Sequence, residues 1–319
     1  MQSLLTPSLT VVVPVYGNEG SIAPLLAALA SIKSKAAVPF EAVFVVDGSP
    51  DRSYARLREM LPHAGFDSQL IALSRNFGAF SAIRVGLEHA RRSIIAVMAA
   101  DLQEPPELVL NLFEALVRGD KDIAMGVRES RDDPGLSRFA SSTFWALYRR
   151  FVMPEIPKGG VDIFAVSHSM RDRLLQLKES NTSLLAQLFW LGGRRELVPY
   201  QRLRREHGKS AWTFKKKMRY LSDSVFAFTD LPVRLLMAIG MLALIAAIAL
   251  SALILVAKLS GLVSVPGYAG TMVTILFFGA LNSLGLGVVG AYAWRTFENT
   301  KARPLSIVQS QEEFPEHQP

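Results

Sequence analysis

Two long apolar stretches, Val233 to Leu259 and Tyr268 to Trp294, limit what this chain can become. A helix rises about 1.5 Å per residue, so roughly 20 apolar residues cross the hydrocarbon of a bilayer. Both stretches exceed that length. No charge lies between Arg234 and Lys258, and none in the second stretch before Arg295. A pair of buried core helices is the alternative, but runs this long suit lipid better than a soluble interior. Gly279, Gly285, Gly287 and Gly290 suit close approach of two helices in lipid, within one chain or in a homo-oligomer. The link from Ser260 to Gly267 has no Lys or Arg, whereas the outer flanks carry Arg234, Arg295, Lys301 and Arg303. The positive-inside rule then predicts an inner (cytoplasmic) membrane protein with both termini in the cytoplasm. The first apolar run, Leu9 to Val15, is too short to span and has no basic leader, so no secretory signal is expected.

The rest of the 319 residues suffices for one sizeable domain with its own core. Zero cysteines exclude disulfides and thiolate metal sites. The formal net charge of +7 is concentrated rather than diffuse. Arg202, Arg204, Arg205, Lys209, Lys215, Lys216, Lys217 and Arg219 crowd the segment before the first span. Such a cluster predicts attraction to an anionic membrane surface. Nucleic acid is not expected as a partner, because no nucleic-acid-binding module accompanies the patch.

Upstream, strand and helix signals alternate. Strands are predicted at Thr10–Val15, Glu41–Val46, Gln69–Leu73, Ser93–Met98 and Asp122–Met125, with helices at about Ser21–Ile32, from the Asp47–Asp51 turn through Leu61, and at Phe80–Ala90 and Glu107–Val117. This is an α/β pattern with right-handed crossovers and a mostly parallel sheet. Ligands of such sheets bind at the carboxyl ends of the strands. There the sequence places Tyr16 to Glu19, Asp47 to Ser49, Ser74 to Gly78 and Asp101 to Pro106. Each is ordinary turn chemistry alone. Together they offer carboxylates, amides and an arginine to a polar, anionic ligand. No GxGxxG follows the first strand and no GxxxxGK[ST] occurs, which removes the dinucleotide-fold and P-loop signatures. No His- or Cys-rich cluster suggests zinc.

Val12-Val-Pro-Val-Tyr16 with Asn18-Glu19, Val46-Asp-Gly-Ser-Pro-Asp51, Leu73-Ser-Arg-Asn-Phe-Gly78 and Ala100-Asp-Leu-Gln-Glu-Pro-Pro-Glu107 together resemble family 2 glycosyltransferases of the GT-A fold. Within that family the chain is similar to the polyprenyl-phosphate glycosyltransferases. The likeness continues through Gly126-Val-Arg-Glu-Ser-Arg131, Gly160-Val-Asp162 and Pro199-Tyr-Gln-Arg202 with Arg205, Gly208 and Ser210. It ends at Glu298 and Lys301-Ala-Arg-Pro304. The resemblance implies inverting transfer of a sugar from a UDP- or GDP-sugar to a polyprenyl phosphate, with Mg²⁺ or Mn²⁺ as cofactor. It assigns Asp101 and Gln103 to the metal and Pro14, Tyr16, Glu19, Asp47 and Asp101 to the nucleotide sugar. Arg128, Arg131, Arg202, Arg205 and Ser210 fall to the acceptor and its phosphate, and Asp101 and Asp162 to catalysis. Asp162 is expected to orient the acceptor phosphate, with base catalysis secondary; an ion pair with a neighbouring arginine is the structural alternative.

Two positions depart from the family pattern. Ala99 replaces the first of two aspartates around Ala100, and Val46 replaces the first of two before Gly48. They motivate a rival reading, a catalytically silent nucleotide-sugar-binding scaffold; a different membrane acceptor is the rival among enzymes. The segments Phe139 to Phe151 and Trp212 to Phe228 mix aromatic and basic residues and are expected to lie as amphipathic helices in the membrane interface. The resulting division is a catalytic domain over 1–210, a juxtamembrane helix over 211–232, a two-helix hairpin over 233–296 and a C-terminal tail over 297–319. The polar stretch after Ile307 is expected to be disordered.

Overall fold

The computed structural model describes residues 6–128, 146, 148–150, 153–157, 160–179, 182–203, 222–260 and 267–316. The N-terminal half alternates as the sequence predicts: β1 (Leu9–Val15), α1 (Ile22–Ala36), β2 (Phe40–Val46), α2 (Ser53–Met60), β3 (Asp67–Leu73), α3 (Ala79–His89), β4 (Ile94–Val97), α4 (Pro106–Val117) and β5 (Ile123–Arg128). There follow β6 (Phe164–Ser167), α5 (His168–Gln176), α6 (Leu184–Trp190) and β7 (Arg195–Tyr200). Every residue of β2 is buried, as expected of a central strand covered on both faces. Pro106 opens α4, where its missing N–H costs nothing.

The strands form one eight-stranded sheet in the order β7-β5-β6-β4-β1-β2-β3-β8, where β8 is Val308–Phe314. β1 pairs in parallel with β2 and β4, β2 with β3, and β5 with β7. Only β6 and β8 run against the others. The strand order reverses between β1 and β4, so the crevice for a ligand opens at their carboxyl ends. Because β6 is antiparallel, its amino end reaches the same edge, which brings in the residues just before Phe164.

At the opposite edge a buried carboxyl is held by hydrogen bonds. Glu41, 2% exposed, accepts from Thr10 Oγ1, the amide of Gln69 and the backbone N–H of Arg91. Gln69 in turn donates to the carbonyl of His89 and accepts from Gln311 at 3.2 Å. A buried polar group is tolerated when its hydrogen-bonding capacity is satisfied in this way.

The contacts divide the chain into two units: Met1–Met218 with Pro304–Pro319, and Arg219–Arg303. The second contains a helical stretch at 222–228, α7 (Leu231–Leu259) and α8 (Tyr268–Thr300). Both long helices have the length and composition to cross a membrane. They leave large apolar side chains exposed, among them Met237, Leu242, Leu253 and Leu286. Of the four glycines expected at a close helix contact, Gly285 faces α7, with Leu236 3.7 Å from where a Cβ would lie; Gly279, Gly287 and Gly290 meet nothing within 4 Å among the described residues. The stretch at 222–228 is tied to α8 by an Asp223–Arg295 ion pair at 2.8 Å and a Phe226–Tyr292 ring contact.

One expectation changes. Residues 308–314 are not disordered: they form β8 against β3, so this end of the chain belongs to the catalytic unit. Its polarity is that of an edge strand, with one face toward solvent and carboxylates facing basic side chains. Glu312 meets Arg58 at 2.9 Å and Tyr54 Oη at 2.6 Å, while Glu313 pairs with Arg91 and Glu316 with Lys33. In the segment expected at the interface between Phe139 and Phe151, only Ala146, Tyr148, Arg149 and Arg150 are described, and Tyr148 is fully buried.

Candidate active site

The loops after β1 and β2 are fastened to each other. Gly17 N–H donates to Ser49 Oγ at 2.8 Å, Asn18 N–H to Ser53 Oγ at 3.2 Å and Glu19 N–H to Asp51 Oδ2 at 3.0 Å. Burial alone would raise the Asp51 pKa, but bonds from Ser49, Ser53 and the Glu19 N–H outweigh it and hold the carboxyl below its ordinary value. The Glu19 carboxylate accepts from the Arg52 N–H at the start of α2. Pro14, next to last in β1, lies opposite Val45, and the ring of Tyr16 stands 45% exposed just beyond the strand's carboxyl end.

Asp47 points inward. It is 2% exposed, and its two carboxylate oxygens accept from the N–H groups of Phe77 at 2.7 Å and Gly78 at 2.8 Å. It thereby fixes the loop after β3, where the Arg75 guanidinium lies over the Phe77 ring. Gly48 is required beside it. Its φ is +57°, and a Cβ there would sit 2.4 Å from the carbonyl carbon of Arg75. We expect Gly48→Ala to destabilise the domain by about 2–4 kcal/mol, from left-handed strain plus overpacking, read as a fall in Tm.

The loop after β4 carries Asp101, Gln103 and Glu104. Leu102 has φ 52°, uncommon for a branched side chain, and packs against the core. The turn lets Gln103 N–H face Asp101 Oδ1 at 3.4 Å. Gln103 also receives the chain that follows β7: its carbonyl accepts from Leu203 N–H at 2.8 Å, and its Oε1 accepts from Arg202. Two residues expected at different ligands, Gln103 at the metal and Arg202 at a phosphate, are therefore hydrogen-bonded to each other.

The second junction involves three strands. Arg128 ends β5 and lies in register with Tyr200 at the end of β7. Asp162 approaches from the amino end of β6. Its carboxylate takes the Arg128 guanidinium side-on, Nε to Oδ2 and Nη2 to Oδ1 (2.5 Å), and Oδ2 also accepts from the Tyr200 hydroxyl. Burial opposes the charge on Arg128, but Asp162 more than compensates and raises its pKa. The ion-pair alternative for Asp162 is thus what the structure contains. Arg131, Arg205 and Ser210 lie outside the described residues, as does Gly208.

Residues 10–177 match the model of glycosyl transferase family 2. The chain belongs to that family. It is 30% identical to an uncharacterized glycosyltransferase of Synechocystis sp., over 95% of both chains. It is 27% identical to a bactoprenol glucosyl transferase of Shigella phage SfX, covering 95% of this chain and 99% of that one. To an undecaprenyl-phosphate 4-deoxy-4-formamido-L-arabinose transferase of Edwardsiella ictaluri it is 30% identical, covering 94% and 93%.

This family 2 glycosyltransferase holds one further carboxyl in its site, at a position given no role from sequence. Glu104 is 3% exposed, and its Oε2 has no hydrogen-bond partner among the described residues. Burial, then the charges of Asp162 and Asp101, push its pKa from an ordinary 4.5 to about 7, against Arg202 and Arg128. Nothing in the sequence separates this glutamate, which precedes two prolines, from a solvated turn residue. A raised acid pKa means that the native state binds the extra proton. Stability is then lost as pH rises from about 4.5 through 7, and Glu104→Gln escapes the loss. We expect the variant to match wild type near pH 5 and to exceed it by up to about 3 kcal/mol at pH 8 without added divalent cation, measured as Tm against pH.

Proposed function

We propose that this glycosyltransferase moves a sugar from a UDP- or GDP-sugar to the phosphate of a polyprenyl phosphate, with inversion, at the cytoplasmic face of a membrane. The observation that carries the acceptor class is α7 and α8: two helices of 29 and 33 residues, apolar enough to span, joined at both ends to the catalytic unit. An enzyme anchored in this way is suited to an acceptor that cannot leave the bilayer. Two relatives with near full-length coverage are named for sugar transfer to bactoprenol or undecaprenyl phosphate.

A phosphate monoester already carries about −1.5 to −2 charge at neutral pH, so it needs holding more than deprotonating. Asp162, bonded to both Arg128 and Tyr200, fits that requirement: it orients a cation instead of removing a proton. A guanidinium has five N–H donors, and two are spent on Asp162. The N–H groups of Arg128 that are not bonded to Asp162 would grip phosphate oxygens in charge-assisted bonds. Arg202, exposed at the rim beside Gln103, would follow the leaving diphosphate. Asp47 would contribute by holding the Arg75–Phe77 loop that walls the nucleotide site, and Tyr16 by offering its exposed ring to the base.

Among the described residues no three His, Cys, Asp or Glu side chains form a metal site. The oxygen donors Asp101 and Gln103 nevertheless fit a hard cation that takes one or two protein ligands and fills its shell with substrate phosphates and water. Mg²⁺ or Mn²⁺ bound there would neutralise charge developing on the departing diphosphate. The test is transfer from a panel of UDP- and GDP-sugars to undecaprenyl phosphate in detergent with either cation. A lipid-linked product from one donor supports the reaction and names the sugar. Nucleotide binding without product from any donor overturns it in favour of the silent scaffold that Ala99 motivates.

A further inference from the structure

Tyr200 has no role in the reaction as described, yet its hydroxyl completes the coordination of the carboxylate that holds Arg128. The ring belongs to the main core and is 6% exposed, a space that phenylalanine would fill equally well. What phenylalanine would lack is the donor to Asp162. Oδ2 of that carboxylate accepts from both Arg128 Nε and Tyr200 Oη, which uses its two lone pairs. Oδ1 is taken by Arg128 Nη2. With three donors on two oxygens, the carboxylate is fixed about its own Cβ–Cγ bond, and the guanidinium is fixed with it. Remove the phenol and the carboxylate can slide along the guanidinium from a two-point to a one-point contact.

We infer that Tyr200 is a positioning residue for sugar transfer, holding the Arg128 guanidinium through Asp162 so that the edge not bonded to Asp162 faces the phosphate-binding side. The strand register supplies the means, since Arg128 and Tyr200 are direct neighbours across β5 and β7. Burial and the adjacent Asp162 charge raise the phenol pKa, which keeps the hydroxyl a donor throughout the physiological range. The inference rests on the proposed reaction in taking phosphate as the ligand of that edge.

The test uses the full-length protein in detergent and compares Tyr200→Phe in two backgrounds, wild type and Arg128→Lys. In the wild-type background kcat should fall about tenfold, with KM for the sugar nucleotide within about twofold, because the loss is of orientation rather than of donor binding. In the Arg128→Lys background, where no fork exists to orient, the same change should cost less than about twofold. Equal losses in both backgrounds, or none in the first, overturn the inference in favour of plain packing. A second readout needs no substrate. With ¹⁵N-arginine labelling, the Nε–H resonance lost in Arg128→Lys identifies Arg128, and in Tyr200→Phe it should shift and broaden. An unchanged resonance overturns the inference even if no transfer is detected. A changed resonance with an inactive wild type would instead fault the proposed reaction.

Discussion

Replacing Asp101 with alanine is expected to lower kcat for sugar transfer by about three orders of magnitude, roughly 4 kcal/mol at the transition state. The size follows from how little else this loop provides. The positions before it are Ala99 and Ala100, so no second carboxylate precedes Asp101, and Gln103 contributes only an amide oxygen already bonded to Arg202. Glu104 is sealed in the interior and costly to ionise while Asp101 and Asp162 are charged. For a divalent cation bound here, substrate phosphates and water would make up most of the shell, and the protein's hold on it would depend chiefly on Asp101. Fold is not at stake, since Asp101 is half-exposed in a loop after β4. The check is initial-rate transfer across a range of Mg²⁺ or Mn²⁺ concentrations. Asp101→Ala should not recover at high cation, whereas Ala99→Asp, which adds a carboxylate beside the first, should reach half-maximal rate at lower cation than wild type. Near-normal rates in Asp101→Ala would remove the divalent cation from this loop.

The strands were legible because parallel central strands are runs of buried β-branched residues. The rule that ligands lie at their carboxyl ends then pointed to four stretches, among them Asp101 to Pro106, and it was the family resemblance that singled out Asp101 and Gln103 within it. Pairings that depend on strand register were not legible. Arg128 and Asp162 are 34 residues apart and meet only because β6 runs antiparallel beside β5. Tyr200 reaches them only because β7 pairs with β5 in the register that it does. Direction of pointing was hidden too. Asp47 sits at a strand end as expected but turns its carboxylate toward the backbone of Phe77 and Gly78, and Glu104 turns inward while its neighbour Gln103 meets Arg202. The C-terminal segment misled for another reason. Gln309, Gln311, Glu312 and Glu313 have the composition of a disordered tail, but composition carries no information about an edge waiting far upstream, where Gln69 lies 242 residues before Gln311, with Arg58 and Arg91 beside it.

That edge sets the second large effect. A chain ending at Pro304 keeps both long helices and the whole proposed site but loses β8 and is expected to lose about 5 kcal/mol of stability. The loss combines the β3–β8 backbone bonds, at about 0.5–1.5 kcal/mol each, with burial of Phe314 against the core, worth up to about 3 kcal/mol. It is a substantial share of the 5–15 kcal/mol typical of a domain. For a unit of this size it corresponds to a fall in Tm of about 10–20 °C, measurable by thermal unfolding in detergent. The ion pairs of Glu312, Glu313 and Glu316 account for little of it. They are largely solvent-exposed, and each alanine replacement should cost no more than about 1 kcal/mol. Truncation would also leave the N–H and C=O groups of β3 unpaired along a sheet edge, which invites pairing between copies. The truncated protein is therefore expected to aggregate below its unfolding temperature, while Glu312→Ala and Glu313→Ala remain dispersed. If it stayed monodisperse with an unshifted Tm, β8 would be a passenger on β3 rather than the eighth strand of the catalytic sheet.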